Sequence, residues 1–222
     1  MVIVHHLNHS RSQRVLWLLE ELGIRYEVKY YRRDPVTLSA PRELRKVHPL
    51  GKSPVIVDGE VTLAESGAII EYLVERHGGL RLSPPPGTPD RLRYQYWMHC
   101  AEGSAMPLLS LKLIFDRMEA ARMPFFAHPI ARAIAERALE TVRPNLTRML
   151  KFMEAELAKR PWFAGASFTA ADIQMSFPVE AAQTRGALDE RYPWLLDWLG
   201  RIHARPAYQR ALESGREYDL VR

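Results

Sequence analysis

Between Ser83 and Pro89 the chain reads Ser-Pro-Pro-Pro-Gly-Thr-Pro, and the hydrophobic pattern has a different period on either side. Proline supplies no backbone N–H and fixes φ, so neither a helix nor a central strand can run through such a segment. The chain must therefore fold as two units joined there. The expected division is residues 1–80, a linker at 81–90, and residues 91–222.

Before the linker, short β-branched and alternating runs are interleaved with helical stripes. Val2-Ile3-Val4 reads as a buried strand and Asn8-His9-Ser10 as a polar break. Val15, Leu18, Leu19 and Leu22 then fall on one face of a helix, which Gly23 is placed to cap. Tyr26 to Tyr30 alternates as a second strand, and a βαβ unit makes the two strands parallel. A loop containing Asp34-Pro35 and Pro41 leads to a short helix over Glu43 to Val47. Pro54 to Val57, the turn Asp58-Gly59 and Glu60 to Leu63 read as a hairpin. Ile69, Ile70, Leu73 and Val74 mark a helix that begins at Glu65 and ends near His77-Gly78-Gly79. After the linker every pattern is helical. Expected helices cover 91–118, bent at Pro107; 130–159, kinked or broken at Pro144; 170–185; and 194–204. The fold class is α/β plus all-α.

The formal net charge of +5 admits an acidic partner, but no run of five or six like charges exists and the basic residues alternate with acids. This argues against nucleic acid and for a solvated basic surface or a small anionic substrate. The single cysteine, Cys100, can form no intrachain disulfide, which fits a reducing, cytoplasmic setting. No charged leader followed by an apolar stretch and no membrane span is expected. The histidines show no metal-ligand spacing, so no metal is expected.

Several residues invite both a structural and a chemical reading. Ser10, between the first strand and the first helix, suits an N-cap; the same place sets a hydroxyl and a helix's positive end beside a bound anion. Ser53-Pro54 is a strand start, or a cis-proline turn offering free backbone groups. Glu65-Ser66 opens a helix, where a carboxylate answers the dipole or takes an ammonium group and a serine binds a carboxylate; Lys52 is a surface lysine or an anion contact. Thr169-Ala170-Ala171-Asp172 has capping-box spacing and reads as structural. Cys100 reads as a packed residue, and so do most of Met98, Met106, Phe115 and Met118.

Taken in order, Ser10-Arg11-Ser12-Gln13-Arg14, His48-Pro49-Leu50-Gly51-Lys52-Ser53-Pro54, Leu63-Ala64-Glu65-Ser66-Gly67-Ala68-Ile69 and Phe168 to Asp172 resemble the soluble glutathione transferase family over nearly the whole chain. The resemblance implies an N-terminal thioredoxin-like domain and a C-terminal helical bundle, with glutathione as co-substrate. It implies that Ser53, before a cis Pro54, pairs its backbone with the cysteinyl part of glutathione as a miniature strand addition. Glu65 and Ser66 would hold the γ-glutamyl end and Lys52 the glycyl carboxylate. Ser10 would donate its hydroxyl to the sulfur. Asn8 is a rival or helper in the same loop, and Ser12 is the serine with the less suitable spacing to the basic Arg14. The strand end carries no tyrosine and the loop no cysteine, so tyrosine and covalent cysteine mechanisms are not expected. The thiolate would attack a hydrophobic electrophile lodged near Met106, Leu109, Leu113 and Tyr218. Family members usually form homodimers. The rival expectations are a glutathione-dependent peroxidase or disulfide reductase, and a non-catalytic interaction module on the same fold.

Overall fold

The computed structural model describes residues 1–35, 37, 39–78, 81–120 and 124–221. The predicted ends at Gly79 and Leu80 lie outside the described residues. The N-terminal part is a four-stranded mixed sheet in the order β2-β1-β3-β4. Strand β1 (Val2–Leu7) pairs in parallel with β2 (Tyr26–Tyr31), joined through α1 (Ser12–Leu22). It pairs antiparallel with β3 (Val55–Asp58), which turns at Gly59, φ 62°, into β4 (Val61–Ala64). The expected βαβ and hairpin are therefore both present. Between them lies α2 (Leu44–Val47), and α3 (Ser66–Arg76) closes the unit.

Alternation along β1 puts Val2, Val4 and His6 on one face, all buried, beneath α1. Helix α1 is buried along nearly its whole length because the sheet, α3, α7 and α9 surround it. It stops where Gly23 takes the left-handed conformation (φ 69°) and its N–H reaches the carbonyls of Glu20 and Leu19.

The helical part begins with α4 (Pro89–Cys100), started by the Thr88 cap with proline at its first position, so the expected linker gives way to helix two residues early. The bend expected at Pro107 is replaced by a π-helical segment at Ala101–Ala105, after which α5 (Met106–Ala120) continues. Each inserted residue turns the helical face by about 100°, which re-aims the side chains on either side. The expected interruption at Pro144 is no break: α6 (His128–Leu157) runs through it for 30 residues. One missing N–H is outweighed by the buried row Ala135, Leu139, Val142, Leu146, Leu150, Met153 and Leu157.

Helix α7 (Ala170–Thr184) is the buried centre of this part. Asp172 accepts the Thr169 N–H at 2.9 Å in the expected capping box, and also the Phe163 N–H at 3.0 Å and the Trp198 indole at 3.1 Å. Helix α8 (Pro193–His203) follows, and then α9 (Pro206–Gly215), which the sequence pattern did not separate although Pro206 stands at its start. Helix α9 packs along α1 and carries the C-terminal part back onto the sheet unit. Trp17 of α1 meets Tyr208 edge to face at 4.9 Å, and Arg205 holds Glu21 through two hydrogen bonds of 2.6 and 2.9 Å.

Candidate active site

A cavity of about 210 Å³ lies where the β1–α1 loop, the segment before β3, the start of α3 and the π-helical segment converge. Its walls are Arg11, Leu50, Lys52, Ser53, Pro54, Ala64, Glu65, Ser66 and Glu102. Five residues expected from the sequence, Lys52, Ser53, Pro54, Glu65 and Ser66, are thus brought to one place.

Each is positioned by local chemistry. The Ser53–Pro54 peptide is cis. The Ser53 hydroxyl donates to the His5 carbonyl at 2.8 Å and accepts the Leu7 N–H at 3.2 Å, tying the turn to β1. With its side chain so engaged, Ser53 offers the cavity its main chain. Glu65 has φ 71° and ψ 118°, a conformation costly for a residue with a side chain, held by the β4–α3 junction. It turns the chain so that Ser66 opens α3 on the cavity wall, where free N–H groups and the helix dipole favour a negative charge.

Behind the wall sits Arg14, fully buried in α1. Its guanidinium donates to Ser66 Oγ at 3.1 Å, to Gln174 Oε1 at 2.8 Å and to Glu102 Oε1 at 2.8 Å, and it stacks on the Phe177 ring at 5.2 Å. Burial draws the Arg14 pKa down and the Glu102 charge opposes that. Arg11 donates to the same carboxylate at 3.1 Å from the open side of the cavity. The sequence reading missed Arg11 and Glu102, which are separated by 91 positions and meet only because the π-helical segment carries Glu102 to the cavity. An acid in an otherwise apolar-patterned helix was the available signal.

The β1–α1 loop is arranged differently. Ser10 is 3% exposed and does not line this cavity. Its hydroxyl donates to the Leu7 carbonyl at 2.7 Å, lies 2.7 Å from Ser12 Oγ and accepts the Ser12 N–H at 3.2 Å, a cap-like arrangement. Ser12 is fully buried, its Oγ 2.9 Å from His6 Nδ1 and 3.3 Å from the Leu7 carbonyl. Asn8 donates to Glu217 Oε2 at 3.3 Å and accepts the Arg33 N–H at 2.9 Å.

The four residues expected to line a second pocket do not line this cavity. Met106 and Leu109 are buried in the core. Tyr218 is buried with its hydroxyl given to Glu180 Oε2, a carboxylate that also accepts from Tyr208 at 2.6 Å, and burial beside that charge raises the Tyr218 pKa strongly. Leu113 keeps a partly open surface. Cys100 is buried and unpaired, its thiol pKa raised by burial, as suits a packing residue.

Comparison with known proteins gives one consistent answer. Residues 1–75 match the glutathione S-transferase N-terminal domain family and residues 114–206 the glutathione S-transferase C-terminal domain family. The chain is 37% identical over its full length to glutathione S-transferase 3 of Schizosaccharomyces pombe, covering 90% of that protein. It is 33% identical to glutathione S-transferase 1 of Saccharomyces cerevisiae, over 97% of this chain and 96% of the relative. Among solved structures, a glutathione S-transferase from Actinobacillus pleuropneumoniae superposes over 100% of this chain and 96% of its own, with TM-score 0.82 and 31% identity.

Proposed function

Since the chain belongs to the glutathione S-transferase family, we propose that the cavity between cis Pro54 and the start of α3 binds glutathione and presents its thiolate to a hydrophobic electrophile. The observation that carries this reading is the meeting of the Ser53 main chain, Glu65 and Ser66 on the wall of one cavity. An extended tripeptide laid along Ser53 would add main-chain hydrogen bonds at the sheet edge. Its γ-glutamyl carboxylate would meet Ser66 and the α3 N-terminus, its ammonium Glu65, and its glycyl carboxylate Lys52, which lines the same cavity.

Ser10 is the proposed donor to the sulfur. A free thiol is mostly protonated near neutral pH, and each unit by which a donor lowers its pKa corresponds to about 1.4 kcal/mol. To serve the sulfur, the Ser10 hydroxyl turns from the Leu7 carbonyl, which has a second hydroxyl, that of Ser12, within 3.3 Å. Both ends of the Asn8 amide already have partners, so Asn8 is the weaker choice. The helical part supplies the electrophile's surface and fixes its orientation.

A homodimer and a cytoplasmic location belong to the same reading. Leu92 and Tyr96, one turn apart on α4, are 71% and 50% exposed, and Phe152 of α6 lies 5.9 Å from Tyr96. This apolar group suits a second copy of the chain. The unpaired Cys100 suits a reducing compartment. Among the described residues no helix is long and apolar enough to cross a membrane.

Calorimetric titration with glutathione, followed by rates with halogenated aromatics, hydroperoxides and mixed disulfides, tests the proposal. Binding with the highest rate on the aromatic electrophile is expected. Absence of binding removes the reading, and a preference for peroxide or disulfide moves it to the corresponding reductase.

A further inference from the structure

Behind Ser10 lies a buried polar chain whose inner end, His6, has no part in glutathione binding as described above. It starts at His6 on the core face of β1, passes through Ser12 in the first turn of α1, and ends at Ser10 and the Leu7 carbonyl. The separations are 2.9 Å from His6 Nδ1 to Ser12 Oγ, 2.7 Å from Ser12 Oγ to Ser10 Oγ and 2.7 Å from Ser10 Oγ to Leu7 O. All three side chains are at most 3% exposed, so no solvent proton can be borrowed at low cost.

We propose that His6 is a positioning residue for the thiolate donor: its Nδ1–H, acting through Ser12, leaves the Ser10 proton available to the glutathione sulfur. This rests on the assignment of Ser10 to the sulfur.

The imidazole tautomer decides how many protons this chain can place. Each serine hydroxyl has one. With the imidazole proton on Nδ1, His6 donates to Ser12 Oγ and Ser12 is free to donate onward. Before glutathione binds, Ser12 donates to Ser10 Oγ and Ser10 to the Leu7 carbonyl. When a thiolate arrives, the Ser10 hydroxyl turns to it and Ser12 turns to the Leu7 carbonyl, already within 3.3 Å. No proton changes its heavy atom and no buried carbonyl loses its donor. With the imidazole proton on Nε2 instead, Ser12 must donate to Nδ1. The Ser10 hydroxyl is then the only proton for both the Leu7 carbonyl and the sulfur, and serving one abandons the other.

The surroundings of His6 suit this role. Burial pulls its pKa down to about 4, opposed by the Gly215 main chain and aided by His9, so the ring is neutral near pH 7. Its other neighbours are the Tyr30 ring, edge-on at 6.0 Å from β2, Gln13 from α1 and Gly215 from α9. Nε2 lies toward the Gly215 carbonyl, which pulls on the ring proton without forming a well-aligned hydrogen bond, whereas Nδ1 lies 2.9 Å from Ser12 Oγ. A side chain at position 215 would strike Gln13 Oε1 at 2.5 Å and reach His6 Cε1 at 3.3 Å, so the close approach of α9 holds the ring's setting.

The test measures the pKa of glutathione bound to the intact protein, from the ultraviolet absorbance of the thiolate, for wild type, Ser10→Ala, His6→Leu, His6→Asn and Ser12→Ala. S-methylglutathione affinity serves as the control for binding without a thiol. The expected result is a rise of about half a unit to one unit, a threefold to tenfold loss of thiolate, for Ser10→Ala, Ser12→Ala and His6→Leu, with unchanged S-methylglutathione affinity. His6→Asn, whose amide N–H falls where Nδ1–H does, keeps the wild-type value. A shift with Ser10→Ala but none with His6→Leu or Ser12→Ala overturns the proposal and leaves the serine assignment standing. No shift with Ser10→Ala overturns both. If His6→Leu does not fold, Ser12→Ala and the nitrogen NMR shifts of His6 in wild type decide the matter: a proton on Nε2 rather than Nδ1 overturns the proposal.

Discussion

Two helix N-termini flank the proposed glutathione site, and they are built in opposite ways. At α3 the chain is forced open: Glu65 holds φ 71° so that Ser66 stands on the cavity wall with the helix dipole behind it. At α1 the chain is closed, since Ser10 and Ser12 do not line the cavity and their hydroxyls are bonded to each other and to the Leu7 carbonyl. The first end attracts a fixed charge and needs no rearrangement on binding. In the proposed mechanism the second would act on a charge that appears only when the thiol ionises, redirecting one proton to do so. A donor released by the thiolate discriminates between the two protonation states, whereas an open N-terminus binds both alike.

Arg14 joins the two ends, so its loss should have the largest effect. Arg14→Met removes the donor to Ser66, Gln174 and Glu102 together, and the buried Ser66 and Gln174 acceptors left without it should cost about 1–3 kcal/mol each. Denaturant melts of the variant would show it, and an unchanged midpoint would mean the two ends are held independently.

The closed end should also be the acid-sensitive one. His6 has a folded pKa of about 4 against an ordinary value of 6.5. The unfolded chain therefore takes up the proton first as pH falls. The stabilisation is complete above pH 6.5, is lost progressively towards pH 4, and amounts to about 3 kcal/mol there. Melts at pH 7 and pH 4.5 should differ less in His6→Asn than in wild type by an amount of this order.

Ser10→Ala should leave glutathione affinity near wild type at low pH and raise the bound thiol pKa by about one unit, worth 1.4 kcal/mol. Equal loss of binding for the thiol and for S-methylglutathione would make Ser10 a structural cap, like its hydrogen bonds in the free protein. The smallest effect belongs to the exposed Lys52 on the α3 side. Lys52→Ala should weaken glutathione by about 0.5–1 kcal/mol in low salt and by less in high salt, read from calorimetry at two ionic strengths.

The same contrast separates what could be read in the sequence from what could not. The α3 side is written in contiguous residues. Asp58-Gly59 sets the hairpin, and Lys52-Ser53-Pro54 and Glu65-Ser66 need only the β3–β4 hairpin between them to meet. The parallel β1–β2 pair and the capping box at Thr169 and Asp172 follow from equally local rules. The α1 side depends on packing between distant segments. His6 alternates onto the core face, but only α9 arriving at Gly215 gives its ring a setting, and α9 was not separated from the pattern. Glu102 reaches the cavity through a π-helical segment that no periodicity announces, and the expected bend at Pro107 lay in the wrong turn. Met106 and Leu109 show the remaining limit: apolar residues at helical spacing read the same whether they line a pocket or fill a core.

Binding of the γ-glutamyl group at the open end of α3 can be checked by titrating glutathione into wild type and Glu65→Gln in a calorimeter. The amide keeps the size of the side chain and removes its charge. A saturable single-site isotherm for wild type, with affinity lower by about tenfold or more in Glu65→Gln, equivalent to about 1.4 kcal/mol, is the expected result. Equal affinities, or no binding to the wild-type protein, would contradict it.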